Sequence, residues 1–143
     1  MNWKEEAAEK LRKLPMMVHA AASIPKELER LELEARMLQS GSNYAERGSL
    51  NVRAQENRLL DNMIRRRELQ DLQENAESWV AVTSGALGKL TDTEKKVLTK
   101  LYVEGEDVQR VCQVLRVERS SLYRCRDAAL KKLTLALYGT LES

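Results

Sequence analysis

The stretch GEDVQRVCQVLRVERSSLYRCRDAALKKL, residues 105–133, carries two apolar stripes of helical period separated by a short polar break. Val108, Val111, Cys112 and Leu115 share one face of the first segment, and Leu122, Ala129, Leu130 and Leu133 share one face of the second. The break leaves room only for a tight turn, so both faces must be covered by a common core. The second segment begins with basic and polar residues, the layout of a helix-turn-helix that offers its second helix to a DNA groove. Immediately upstream, Thr91-Asp92-Thr93-Glu94 has the spacing of a capping box, which predicts a helix start at this point. That helix continues through Val97, Leu98, Leu101 and Tyr102 and is expected to end near Gly105, a residue suited to a left-handed C-cap.

Composition agrees with a helical chain. Among 143 residues there are two prolines and six glycines, and no segment shows sustained alternation of Val, Ile, Thr and aromatics, so an all-α protein is expected. The charged fraction is 32% but the net charge is only +2, so contact with a polyanion has to come from local placement of charge. Residues 1–90 carry 14 basic and 14 acidic side chains, whereas residues 105–133 carry seven basic against four acidic. The excess lies on the candidate reader.

Several functional classes are disfavoured. The opening MNWKEEAAEK is charged where a signal peptide needs an apolar core, and no run approaches the roughly 20 apolar residues needed to span a bilayer. A cytoplasmic location with no membrane partner is therefore expected. Two cysteines and one histidine cannot complete a four-ligand zinc site, and Cys112 reads as a packing residue. No glycine loop is built to cradle phosphate, and His19 has no nucleophile beside it, so no catalytic centre, metal or cofactor is expected.

Toward the N-terminus, Trp3, Ala7, Leu11 and Leu14 predict a short amphipathic helix ended or bent at Pro15. A second helix is expected after Ser23, with Ile24, Leu28, Leu31, Ala35 and Leu38 stepping by four and three. SGSNYAERGSLN, residues 40–51, reads as a loop. A long third helix is expected from about Val52 to Thr83, carrying Leu59, Leu60, Met63 and Ile64, then Leu69, Leu72, Ala76, Trp79 and Val80. Its stripe is interrupted at Arg65-Arg66-Arg67, where a bend or a change of packing partner is expected. At about 1.5 Å per residue it would reach roughly 48 Å against roughly 24 Å for the second helix, which leaves part of its apolar surface for another partner. The predicted organisation is thus a coiled-coil-like helical hairpin over 1–88, serving oligomerisation, and a DNA-binding domain over 89–143.

Residues 90–133, in LTDTEKKVLTKLY, VQRVCQVLRV and SSLYRCRDAALKKL, resemble the region 4 module of bacterial sigma factors. The whole chain looks like the small phage-encoded regulators of late-gene transcription in Gram-positive bacteria, the RinA and ArpU type. The resemblance implies a sigma region 4-like helix-turn-helix, double-stranded DNA as partner, and RNA polymerase as a second possible contact. It maps the groove-facing positions onto Arg119, Ser120, Tyr123 and Arg124. Helical geometry agrees, since an inward Leu122 turns these residues toward the exposed front. Arg124 can donate two hydrogen bonds to a guanine edge, and Tyr123 can pack on a thymine methyl or reach a phosphate. Ser121 and Arg126 suit backbone contacts, with Lys131 and Lys132 behind them. The chain departs from the family at Arg116, where glycine is usual, and at Glu118, where a serine or threonine cap is usual.

The expected function is sequence-specific transcriptional regulation by a phage or prophage protein, paired as a homodimer through its N-terminal helices. Two alternatives keep the fold: a sigma-like factor that docks on RNA polymerase, and a small terminase-like packaging subunit. The latter usually places its reader first, opposite to the order here.

Overall fold

A computed structural model describes residues 2–40 and 49–139, with side chains at 49 and 50 left aside, and every regular element among the described residues is helical. In chain order these are α1 (Trp3–Arg12), α2 (Leu14–Gln39), α3 (Ser49–Leu87), α4 (Asp92–Leu98), α5 (Val108–Leu115) and α6 (Arg119–Tyr138). A wider π-helical turn, Thr99–Val103, extends α4. Most of the loop expected over 40–51 lies outside the described residues. No described helix is long and apolar enough to cross a membrane.

The chain divides into two compact units, one drawn from Met1–Val18 and Ser78–Ser143, the other being His19–Glu77. In the first unit, α4 starts at the expected capping box: Thr91 Oγ1 accepts from the Glu94 amide at 3.2 Å, and Glu94 Oε1 accepts from the Thr91 amide at 3.0 Å. Val97, Val111 and Leu122 form one buried cluster, which holds α5 and the first turn of α6 against α4. Leu98 faces the other way, into a larger cluster with Ala129, Leu130 and Leu133 of α6.

The larger cluster also contains Ala7, Leu11 and Leu14, so α1 packs on α6. The expected division at residue 88 differs from this arrangement, in which α1 and the end of α3 lie with the C-terminal helices in one unit. The reason is geometric. α5 spans only Val108–Leu115 and packs on the inward side of α6 at Leu122, leaving the apolar face at Ala129, Leu130 and Leu133 for α1 to close. Trp3 and Trp79 pack against the same cluster, and the Trp79 indole donates to the Lys10 carbonyl at 3.2 Å.

The helix expected after Ser23 begins earlier, at Leu14. Pro15 occupies its first turn, where a missing amide removes no intrahelical bond, and the alanine-rich stretch around residues 20–22 carries the helix on through Pro25.

In the second unit, α2 and α3 run antiparallel with a register readable from named contacts. The Gln55 side-chain amide donates to the Leu38 carbonyl, the Asn62 amide to the Leu31 carbonyl at 2.9 Å, and Leu69 packs with Ile24 and Leu31. Steps of seven along α3 therefore meet steps of seven back along α2, the heptad spacing of a coiled-coil seam. Arg66 Nε donates to Asn62 Oδ1 at 2.8 Å and so orients the amide toward Leu31.

This seam overturns part of the expected apolar stripe. Leu59 is half-buried and Leu69 and Ala76 are buried, but Leu60, Met63, Ile64 and Leu72 are exposed. At about 100° per residue Leu60 lies on the side of α3 opposite Leu69, so one partner helix cannot cover both. The phase of the stripe changes across Arg65–Arg67.

Leu11→Ala tests the docking of α1. Leu11 is fully buried among Leu130 and Leu133, so the substitution is expected to cost about 2–5 kcal/mol in chemical denaturation followed by circular dichroism. A change within about 0.5 kcal/mol, the range of surface substitutions, would show that α1 does not close this core.

Candidate nucleic-acid interface

α5 ends on Arg116 in the left-handed region (φ 57°, ψ 49°), whose amide donates to the Cys112 carbonyl. The chain then turns through Val117 and Glu118, and α6 starts at Arg119. Glu118 occupies the N-cap position in extended conformation, but its side chain caps no amide. The first-turn amides of α6 are thus available to an anion, as helix N-termini are. Leu122 lies inward, and Ser120 and Arg124, two residues to either side, are turned about 200° away from it.

The eight residues expected at the site fall into two groups. Arg119, Ser120, Ser121, Arg124 and Lys131 are exposed on α6. Ser121 also borders a small cleft with Thr93, Lys96, Leu115, Val117 and Cys125. The other three hold contacts within the fold, Lys132 while still exposed. The Arg126 guanidinium stacks 4.7 Å from the centre of the half-buried Tyr123 ring and donates twice to Asp127 Oδ1, at 3.1 and 3.0 Å. Asp127 also pairs with Lys4 of α1 at 3.5 Å. Burial opposes the charge on Asp127, but Arg126 and Lys4 outweigh it and hold the carboxyl below its ordinary range. Lys132 donates to Glu94 Oε1 at 3.0 Å and so joins α6 to the capping box of α4.

Glu94 is buried and accepts from both Thr91 and Lys132. Desolvation pushes its pKa up, but the Thr91 and Lys132 interactions together hold it below the ordinary 4.5. Cys125 is partly buried beside the same group; burial, then the Glu94 charge, raise its thiol pKa against the opposing effect of Lys132. A thiol held protonated in this way is a poor nucleophile.

Sequence reasoning passed over three cations near this surface. Arg110 is exposed on α5 next to inward Val111, a signal legible in the helical period. Arg116 is exposed at the turn. Lys96 lies across the cleft from Ser121, a placement that depends on how α4 packs and has no local signature. Arg116, Arg119 and Arg124 are all exposed at the turn and the start of α6, with the exposed Glu118 beside Arg119, and Lys131 is exposed further along the same helix.

Comparison with models of protein families, with curated proteins and with solved structures found no match. The chemistry of the surface therefore has to be argued from its own residues. Exposed guanidinium groups and hydroxyls around a free helix start are donors suited to phosphate oxygens and base edges.

Two outcomes are expected. Arg116→Gly removes a side chain from a left-handed position and is expected to raise stability by roughly 1 kcal/mol, seen as a higher denaturant midpoint with unchanged slope. A lower midpoint would mean that the Arg116 side chain contributes more than its backbone geometry costs. Because the folded-state pKa of Glu94 is depressed, its stabilising effect is present above the unfolded value and is lost as pH falls through the folded one. Glu94→Gln is accordingly expected to lose less stability than the parent on acidification below about 4.5, the ordinary carboxyl value. Parallel pH profiles would remove Glu94 as a contributor.

Proposed function

We propose that the chain is a sequence-specific regulator of transcription that binds double-stranded DNA and reads the major groove with the front of α6. In this reading α5, the turn at Arg116–Glu118 and α6 form a helix-turn-helix of the sigma region 4 kind. The carrying observation is the inward Leu122, packed with Val97 and Val111, which leaves Arg119, Ser120 and Arg124 exposed at the start of α6. Arg124 supplies the bidentate donor that suits guanine, and Ser120 a hydroxyl that suits several bases. Arg119, Ser121 and Lys131, with Arg110 and Lys96, serve the phosphates and set the orientation of the helix.

Tyr123 and Arg126 act here as a stacked pair braced by Asp127, so their part is to hold the back of the reading surface in shape. Lys132 has a structural part through Glu94. The resemblance to phage-encoded late-gene regulators supports a phage or prophage setting. Two chains pair through the N-terminal helices and present two readers to one operator.

Selection of bound fragments from a random duplex pool at physiological salt is expected to enrich one motif. On that motif Arg124→Ala should lose about 1–3 kcal/mol and relax the preference at one base pair, whereas Lys131→Ala should weaken all sequences alike and lower the salt slope by about 1. No enrichment, or equal behaviour of the two variants, would overturn the assignment. Capture of RNA polymerase by a chain that enriches no DNA would move the surface to a protein partner.

A further inference from the structure

The hairpin His19–Glu77 has its polarity partly reversed. Its seam contains Gln55 and Asn62, both buried, with Arg66 and Gln73 half-buried, while Leu60, Met63 and Ile64 are 55%, 57% and 50% exposed on the opposite side of α3. Steps of three and four (Arg53, Asn57, Leu60, Ile64, Arg67, Asp71) place these leucine and isoleucine side chains at the centre of one continuous strip, with Glu56 and Met63 along its edge. Single exposed apolar residues need no explanation, but three clustered on one helix face mark a contact surface.

The charges around the strip name its occupant. Arg53, Glu56, Arg67 and Asp71 are all exposed, and none of the four forms an ion pair among the described residues, whereas Arg30 pairs with Glu27 and Glu34, and Arg65 with Glu68. Read forward, the strip runs cation, anion, apolar centre, cation, anion. A copy of the same strip laid antiparallel over it, with the two-fold axis passing near residue 62, brings Arg53 opposite Asp71, Glu56 near Arg67, and Leu60 opposite Ile64. A parallel copy would set Arg53 against Arg53 and Asp71 against Asp71. Asp61 stands at the side of the helix, in the groove shared with Arg30, Arg58 and Arg65, and stays clear of the centre.

We infer that the outer face of α3 is a self-complementary dimer interface, in which two copies of the chain pair antiparallel through Leu60, Met63 and Ile64 and are aligned by Arg53–Asp71 contacts. This rests on the pairing in the function proposed above and is independent of whether α6 reads DNA. Because the axis passes near residue 62, both charge contacts recur on each side of it, as an isologous interface requires.

The test is sedimentation equilibrium of the full chain in low salt, with circular dichroism as a control for folding. The parent is expected to reach a dimer, and Ile64→Asp to remain monomeric at the same concentrations with unchanged helicity, since Ile64 is half exposed within the single chain. Arg53→Asp and Asp71→Arg should each weaken the dimer by roughly tenfold, and the double variant carrying both should recover it, because the swap exchanges partners across the axis. Should Ile64→Asp lose helicity, the two charge reversals and their double variant decide the matter, as both sites are exposed and outside the core. A parent that stays monomeric overturns both the pairing and this interface. A dimer or a larger ring that is insensitive to Ile64→Asp and to the charge swaps leaves pairing standing and overturns this interface alone.

Discussion

The burial of Leu122 against Val97 and Val111 is the contact on which the presentation of α6 depends. Removing such a side chain from water contributes about 1.5–3 kcal/mol, more than any exposed ion pair in the molecule supplies. Its importance lies less in that amount than in its direction. An α-helix whose first turn is held by one side chain can no longer rotate about its axis, so the outward positions of Ser120 and Arg124 follow from an apolar contact with which they have no chemistry in common.

The same helix is held further back by charged contacts that partner side chains otherwise free to meet a ligand. Lys132 joins Glu94, and Asp127 collects Arg126 from its own helix and Lys4 from α1. These contacts link α6 to α4 and α1, and they reduce the excess positive charge that a count along residues 105–133 implies. What remains both exposed and without such a contact near the helix start is a smaller group, Arg116, Arg119 and Arg124. Close placement matters more for such a surface than net charge, because the field of separated charges is screened within about a Debye length.

The hairpin shows how specificity and stability can be carried by different faces. Gln55 donates to the Leu38 carbonyl in the last turn of α2, where helix carbonyls lack intrahelical donors, and Asn62 to the Leu31 carbonyl within the helix; both amides are satisfied in only one register. Leu69, Ile24 and Leu31 provide the apolar part of the seam. The leucine, methionine and isoleucine that a simple two-helix unit would have turned inward lie outside, on the face of α3 away from α2.

Local signals in the chain were sufficient for the all-helical fold, the capping box at Thr91, the turn after Leu115 and the outward front of α6, because each depends on residues within one or two helical turns. The sharing of the π-helical turn's Tyr102 with the core, the docking of α1 on α6, the engagement of Arg126, Tyr123 and Lys132, and the polar seam of α3 were settled only by tertiary packing. Periodicity states which side chains lie on one face of a helix and is silent about what that face meets. Where two phases compete along one helix, as at Leu60 and Leu69, only the position of the partner determines which is buried.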